Sequence, residues 1–236
     1  MKTQNKRKKG FTLIELLVVI TIIGILAGIV IANLSGVTDQ AEIEAVKGNL
    51  KTLHNTMLGA KPPIKTLPTS AELIENSPAG FAAWFRKRTG FTNNDVWYVK
   101  NAEDVIELSA NDNEKGGVPN QIAKSTGDFH PDFNADQKKA ISWEMCIPTD
   151  AAKQKTLRDL KRTGKFPVIW TKGLQSDGTW EGDSPWGGAG GHVLFSDGTI
   201  KWYETAEDQF VNAQSEEMTS DVEQAIPEGW QVIKSN

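Results

Sequence analysis

The run FTLIELLVVITIIGILAGIVIA, residues 11–32, constrains this chain more than anything else in it. Only Thr12, Glu15, Thr21, Gly24 and Gly28 interrupt its aliphatic and aromatic side chains. As one helix it would span ~33 Å, which matches a bilayer core of roughly 30 Å. It follows Lys2, Lys6, Arg7, Lys8 and Lys9, with no acid among residues 1–10. The positive-inside tendency therefore places residues 1–10 in the cytoplasm and everything after Asn33 outside it. A secretory signal has a shorter apolar core of about 7–15 residues and a small-residue cleavage site, so this run is too long for one. A plain signal anchor fits better, except for Glu15. An acid at the centre of a membrane helix costs about 2.5–3.5 kcal/mol on insertion scales, and somewhat less near the interface. Such a residue needs a positive partner, and its own segment supplies none.

The stretch KKG-FTLIELLVVITIIGILAGIV, within residues 6–35, resembles the amino terminus of type IV pilins and type II secretion pseudopilins. The shared pattern is a basic leader ending in glycine, then Phe-Thr-Leu-Ile-Glu, then unbroken apolar residues. The resemblance implies that a prepilin peptidase cuts after Gly10 and methylates the new amino terminus at Phe11. It also implies that Glu15 pairs with the free amine of Phe11 on a neighbouring subunit. A desolvated ion pair of this kind sets register better than it adds net stability, which suits subunit alignment.

Beyond the apolar run, SGVTDQAEIEAVKGNLKTLHNTMLGA continues at helical spacing. Val37, Ala41, Ala45 or Val46, Leu50, Leu53 and Met57 form one apolar stripe. Gly59 and Lys61-Pro62-Pro63 end it. One helix from Phe11 to about Leu58 would be ~72 Å long, half in the membrane and half packed on a head. His54 reads as a partly exposed helix residue.

From Lys61 the composition is that of a soluble domain. SAELIENSPAGFAAWFRKRTG predicts two short helices, the first capped at Ser70 and the break at Pro78. DVWYVK, KAISWEMC and FPVIWTKGL read as strands, with KTLRDLKRTGK a helix between the last two. GGHVLFSDGTIKWYE predicts a hairpin turning at Asp197-Gly198. With the glycine-rich stretch before it, this block is similar to the carboxy-terminal DG domain of a bacterial pilin-like family, although Gly187 stands where that family often has histidine. After Glu204 the acidic sequence reads as a short helix and a loosely held tail, a candidate subunit contact.

Charge excludes one class of partner. Residues 11–236 hold 21 of the 26 basic residues and all 30 acids, a formal −9. Nucleic acid needs a basic face. The single Cys146 forms no internal disulfide and reads as a buried thiol. His54, His130 and His192 are scattered, and no catalytic motif accompanies them. The chain is not expected to be an enzyme. Two aspartate-rich loops are candidate calcium sites: Asp132, Asn134 and Asp136, which alternate like the first half of a calcium loop, and Asp177, Asp183 and Asp197. The second lies beside DSPWG, similar to a DPWG stretch that accompanies calcium in major pseudopilins. Trp84, Trp97, Trp143, Trp170 and Trp202 fall in periodic segments and read as core. Trp180 and Trp186, in the glycine-rich loop, are candidate exposed ligand contacts.

The expected architecture is α+β and pilin-like: a long amino-terminal helix, with a membrane half and an amphipathic half, packed on an antiparallel sheet. The expected divisions are leader 1–10, membrane and assembly helix 11–34, amphipathic continuation 35–60 and extracytoplasmic head 61–236. The resemblance implies a filament subunit in the bacterial inner membrane whose partners are the prepilin peptidase and other pilin subunits. A type II secretion pseudopilin is favoured and a type IV pilus subunit is the near alternative. From a different class, a membrane-anchored sugar- or calcium-dependent binding protein would use Trp180 and Trp186.

Overall fold

The computed structural model describes residues 13–62, 64–111, 116–156, 159 and 165–235; side chains at 15 and 23–39 also lie outside the description. The chain divides into two compact units, Met1–Ala45 and Val46–Asn236. Helix α1 runs Leu13–Gly59, so its residues to Ala45 belong to the first unit and those from Val46 to the second. Within the second unit the expected stripe is in place. Val46, Leu50, Leu53 and Met57 are all buried, one turn or so apart, and Ala45, the alternative to Val46, is exposed. His54 is half-buried against the β-hairpin of the head; a Cβ on Gly198 would stand 2.7 Å from its ring.

The region after α1 forms two short helices, as expected, but the first is capped by Thr69 rather than Ser70. A single turn, Ser70–Glu72, starts at Thr69, whose N–H donates to Glu72 Oε2 at 2.8 Å. Helix α2, Pro78–Thr89, starts at Ser77, whose hydroxyl accepts from Gly80 N–H at 3.2 Å, with Pro78 as its first residue. It stops at Gly90 with φ +69°. On its buried face Phe81 and Phe85 stack on each other at 6.4 Å, and both meet Trp97 edge-on at 6.2 and 5.7 Å.

The expected strand DVWYVK is instead a 3-10 turn, Asp95–Trp97. Asn93 Oδ1 accepts from Asp95 N–H at 3.1 Å, and asparagine side chains that bond the backbone two residues on favour turns over ladders. Helix α3, Glu103–Ala110, and the short α4, Ala135–Lys139, follow. The helix expected over KTLRDLKRTGK lies mostly outside the described residues.

The sheet is antiparallel throughout. Its strands are β1 (Trp143–Pro148), β2 (Pro167–Thr171), β3 (Gly191–Phe195), β4 (Ile200–Tyr203) and β7 (Trp230–Ile233), in the order β4-β3-β2-β1-β7. β1, β2 and β3 are buried along their whole length. The hairpin β3–β4 turns where expected: Gly198 N–H donates to Phe195 O at 2.9 Å with φ +88° at Gly198.

The loosely held tail is a correction. After β4 the chain forms a small ribbon, β5 (Phe210–Val211) with β6 (Met218–Thr219), then α5 (Val222–Ala225), then edge strand β7. Phe210 packs on Phe195 at 6.4 Å and Tyr203 at 6.2 Å, and Trp230 on Phe166 at 5.4 Å. WQVI alternates too briefly, behind Pro227 and Gly229, to stand out as a strand; pairing with β1 makes it one.

Candidate assembly site

The cleavage and methylation residues, Gly10 and Phe11, lie outside the described residues, as does the side chain of Glu15. What is described is the helix that carries them onward. Its backbone is helical from Leu13, and the large aliphatics described between Leu13 and Ile22 are 46–81% exposed. Thr21, the one hydroxyl among them, folds its Oγ1 onto Leu17 O at 2.8 Å. This shields its polarity inside the helix's own groove. An aliphatic surface of this extent marks contact with lipid or with other chains. Among the described residues no helix is long and apolar enough to cross a membrane; the run continues onto positions whose side chains are not described.

The candidate metal ligands do not assemble. Asp177 Oδ1 accepts from Thr179 N–H at 2.9 Å and from its hydroxyl at 2.6 Å, and these bonds hold the carboxyl below its ordinary range. Asp197 Oδ1 accepts from Thr199 N–H at 2.8 Å, and Lys165 lies 3.9 Å from its other oxygen. Burial pushes that carboxyl up, but Thr199 and Lys165 bring it below the usual value. Asp183 is exposed. Asn134 caps α4, accepting from Gln137 N–H at 2.9 Å while Gln137 Oε1 accepts from Asn134 N–H at 3.1 Å. Asp132 and Asp136 point to solvent on either side. Among the described residues no three His, Cys, Asp or Glu are grouped to hold a metal. Calcium takes about six to eight oxygens, and with Asp177, Asp197 and Asn134 engaged in turns and a cap and Asp132, Asp136 and Asp183 standing apart in solvent, these donors do not form such a set.

The tryptophans also differ from expectation. Trp84, Trp97, Trp143 and Trp170 are core as predicted, whereas Trp202, also expected there, is half-buried, and Trp180 is core, only 6% exposed. The loop folds inward because Gly191 leaves room: a Cβ there would stand 2.5 Å from the Trp180 ring. Trp186 is half-buried, edge-on to Trp202 at 4.9 Å, and His192 lies 5.1 Å from the Trp202 ring. The pair therefore offers no open aromatic platform.

One functional-looking group escaped the sequence reading. Glu144, in the middle of β1, is buried and accepts from Trp170 Nε1 at 2.9 Å. Burial raises its carboxyl pKa despite that bond and the nearby Lys234 ammonium. The only signal in the sequence was an acid between Trp143 and Met145 in an otherwise apolar strand. A raised folded-state value means stability that is fully present below the ordinary carboxylate pKa and is lost as pH rises through the raised one. Glu144→Gln removes that loss. We expect its unfolding free energy, measured in urea, to gain on the wild type steadily from acid to neutral pH; a difference independent of pH would contradict it.

The prokaryotic N-terminal methylation motif matches residues 5–31. The chain is also 38% identical over 104 residues to the type IV narrow pilus major component PilA5 of Thermus thermophilus. That match covers 44% of this chain and 81% of the relative. The chain belongs to the type IV pilin and type II secretion pseudopilin family. Further relatives within the family match over less length. Type II secretion system core protein G of Pseudomonas aeruginosa is 42% identical over 50 residues, 21% of this chain and 35% of the relative. The type IV major pilin protein PilA of Myxococcus xanthus is 48% identical over 50 residues, 21% of this chain and 23% of the relative. The chain thus covers about a third of the length of the core protein G relative from Pseudomonas, over its N-terminal motif region. No solved structure matches the chain.

Proposed function

We propose that this chain is a structural subunit of a pilus-like filament, and specifically a pseudopilin of a type II secretion system. It is made as a precursor, cut after Gly10 by a prepilin peptidase and methylated at Phe11. The apolar helix 11–34 holds it in the bacterial inner membrane, with residues 1–10 in the cytoplasm and the head outside. Assembly proceeds through that helix, with Glu15 meeting the amine of a neighbouring Phe11. The observation that carries this reading is the methylation motif across residues 5–31, with an acid embedded in the apolar run. Similarity to core protein G of several bacteria favours the secretion system over the pilus. The long match to the Thermus pilin favours the second reading, a type IV pilus subunit. Both make the chain structural rather than catalytic. The binding-protein alternative loses its support with Trp180 buried in the core.

Intact-mass and amino-terminal analysis of the membrane fraction of the native host tests the processing step. The wild-type chain is expected to begin at N-methylated Phe11, and Gly10→Ala to retain residues 1–10. A wild-type chain still carrying MKTQNKRKKG would overturn the proposal.

A further inference from the structure

The last turns of α1 leave one face uncovered. Val46, Leu50, Leu53 and Met57 are buried, whereas Lys51, Asn55 and Leu58, spaced four and three residues apart on another face, are exposed, Leu58 by 47%. Lys61 and Lys65, just past the helix, are exposed as well. From Val46 to Ala71 the chain holds four lysines and no acid. Among the described residues no ion pair engages Lys51, Lys61 or Lys65.

The opposite sign gathers on one side of the β5–β6 ribbon. Residues 204–223 hold seven acids and no base. Met218, 56% exposed, borders a recess of about 550 Å³ whose described walls include Asp177, Glu207, Asp208 and Asp221 and no cation. Lys234, whose charge reaches Asp221, is already held by Glu223 at 3.2 Å. The other side of the ribbon is mixed, since Val211 and Glu216 share a recess with Lys155 and Lys165. Glu207, and Glu217 next to Met218, form hydrogen bonds through their backbone and no ion pair among the described residues. Lysines gathered without acids, and acids gathered without bases, each repel internally, and a surface of the other sign relieves both. A head that carries the two signs apart, each beside an exposed apolar side chain, is complementary to another copy of itself.

We propose that the exposed face of α1 at Lys51, Leu58 and Lys61 receives the Met218 side of the β5–β6 ribbon of a second copy of this chain, with Glu207 and Glu217 meeting the lysines. The inference rests on the filament reading and deepens it. Helix face and ribbon share no residue, so the contact joins unlike surfaces. Contacts of that kind do not close into a dimer; repeated with a constant rotation they give an open helix.

The test uses the full chain in its host, with sheared filaments quantified by sedimentation. Lys51→Glu with Lys61→Glu, and separately Glu207→Lys with Glu217→Lys, are each expected to lower filament yield about tenfold or more, the scale on which close interfacial charge pairs couple. A chain carrying all four substitutions restores opposite charge and is expected to regain yield near the wild type. Leu58→Cys with Met218→Cys in one chain is expected to give disulfide-linked multimers within the filaments, and neither single variant to do so; Cys146 is buried and does not compete. Reversed chains that assemble as well as the wild type, or a doubly substituted cysteine chain without multimers, would overturn the contact while the filament reading stands. Loss confined to the lysine reversal would also overturn it and assign the helix face to the membrane surface or another protein. Absence of wild-type filaments would overturn both the contact and the reading it rests on.

Discussion

Glu15→Ala is expected to leave the protein in the membrane and remove it from filaments. Insertion improves slightly, because an acid worth about 2.5–3.5 kcal/mol of penalty at helix centre has been replaced by a methyl group. Assembly fails for a different reason. In the proposed filament each Glu15 carboxylate meets the cationic amine of a neighbouring Phe11 away from water. Deleting one partner of a buried pair costs roughly 3–5 kcal/mol, since the other charge is left uncompensated. That is about two to three and a half decades in the equilibrium constant at every added subunit, and polymerisation multiplies it along the fibre. Fractionation followed by shear and sedimentation reads both outcomes at once: wild-type amounts in the membrane, at least a hundredfold less in the filament fraction. Filaments at wild-type yield would end the case for Glu15 as an assembly residue and leave its position in the apolar run without a cause. Glu15→Gln separates charge from shape. It preserves hydrogen bonding to the amine but not its neutralisation, so its yield is expected to stay close to that of the alanine variant.

The helix Leu13–Gly59 was legible because each physical signal in it is long. A run of 22 residues broken only at Thr12, Glu15, Thr21, Gly24 and Gly28, and a stripe through Val46, Leu50, Leu53 and Met57, each average over several turns. The β3–β4 hairpin was legible for the opposite reason: Asp197-Gly198 is a short signal with a single backbone solution. What failed lay between these extremes. Val96, Trp97 and Tyr98 look like strand residues and are buried as strand residues would be, yet asparagine turns hold them in a 3-10 coil. Trp180 looked exposed because its neighbours are glycines. A glycine further along, Gly191 in β3, is what lets the ring lie directly on that strand. The aspartates drew attention as calcium donors through their spacing alone. The same spacing serves backbone capping, and only the geometry of Thr179, Thr199 and Gln137 decides between them. Glu144 was visible as an acid in a strand, but nothing local disclosed the indole of Trp170 that receives it from the adjacent strand.

Removing residues 228–236 is expected to abolish folding of the head, which the sequence alone would have ranked among the mildest changes possible. The last residues look polar and dispensable. In the sheet they are the edge strand beside β1, in register from Pro148 with Trp230 to Met145 with Ile233. Trp230 and Ile233 are buried, and Trp230 closes over Phe166. Losing an indole and an isoleucine from a packed site costs about 3–5 and 2–5 kcal/mol respectively. Their sum is comparable to the ~5–15 kcal/mol that holds a domain of this kind together. The truncation also strips the ladder bonds from β1, the strand that carries Trp143, Met145 and Ile147 at the centre of the core. Exposing an unpaired apolar strand there invites aggregation. Removing only residues 235–236 is the matched control: it takes away the half-buried Ser235, whose hydroxyl donates to Ile141 O at 3.1 Å, and leaves β7 whole. The longer truncation should yield insoluble or protease-sensitive protein with no cooperative thermal transition, and the shorter one a transition within a few degrees of the wild type, as about 1 kcal/mol shifts a domain of this size by roughly 2–4 °C. A cooperative transition in the longer truncation would mean that β7 is an ornament on the sheet and that the head is closed by something else.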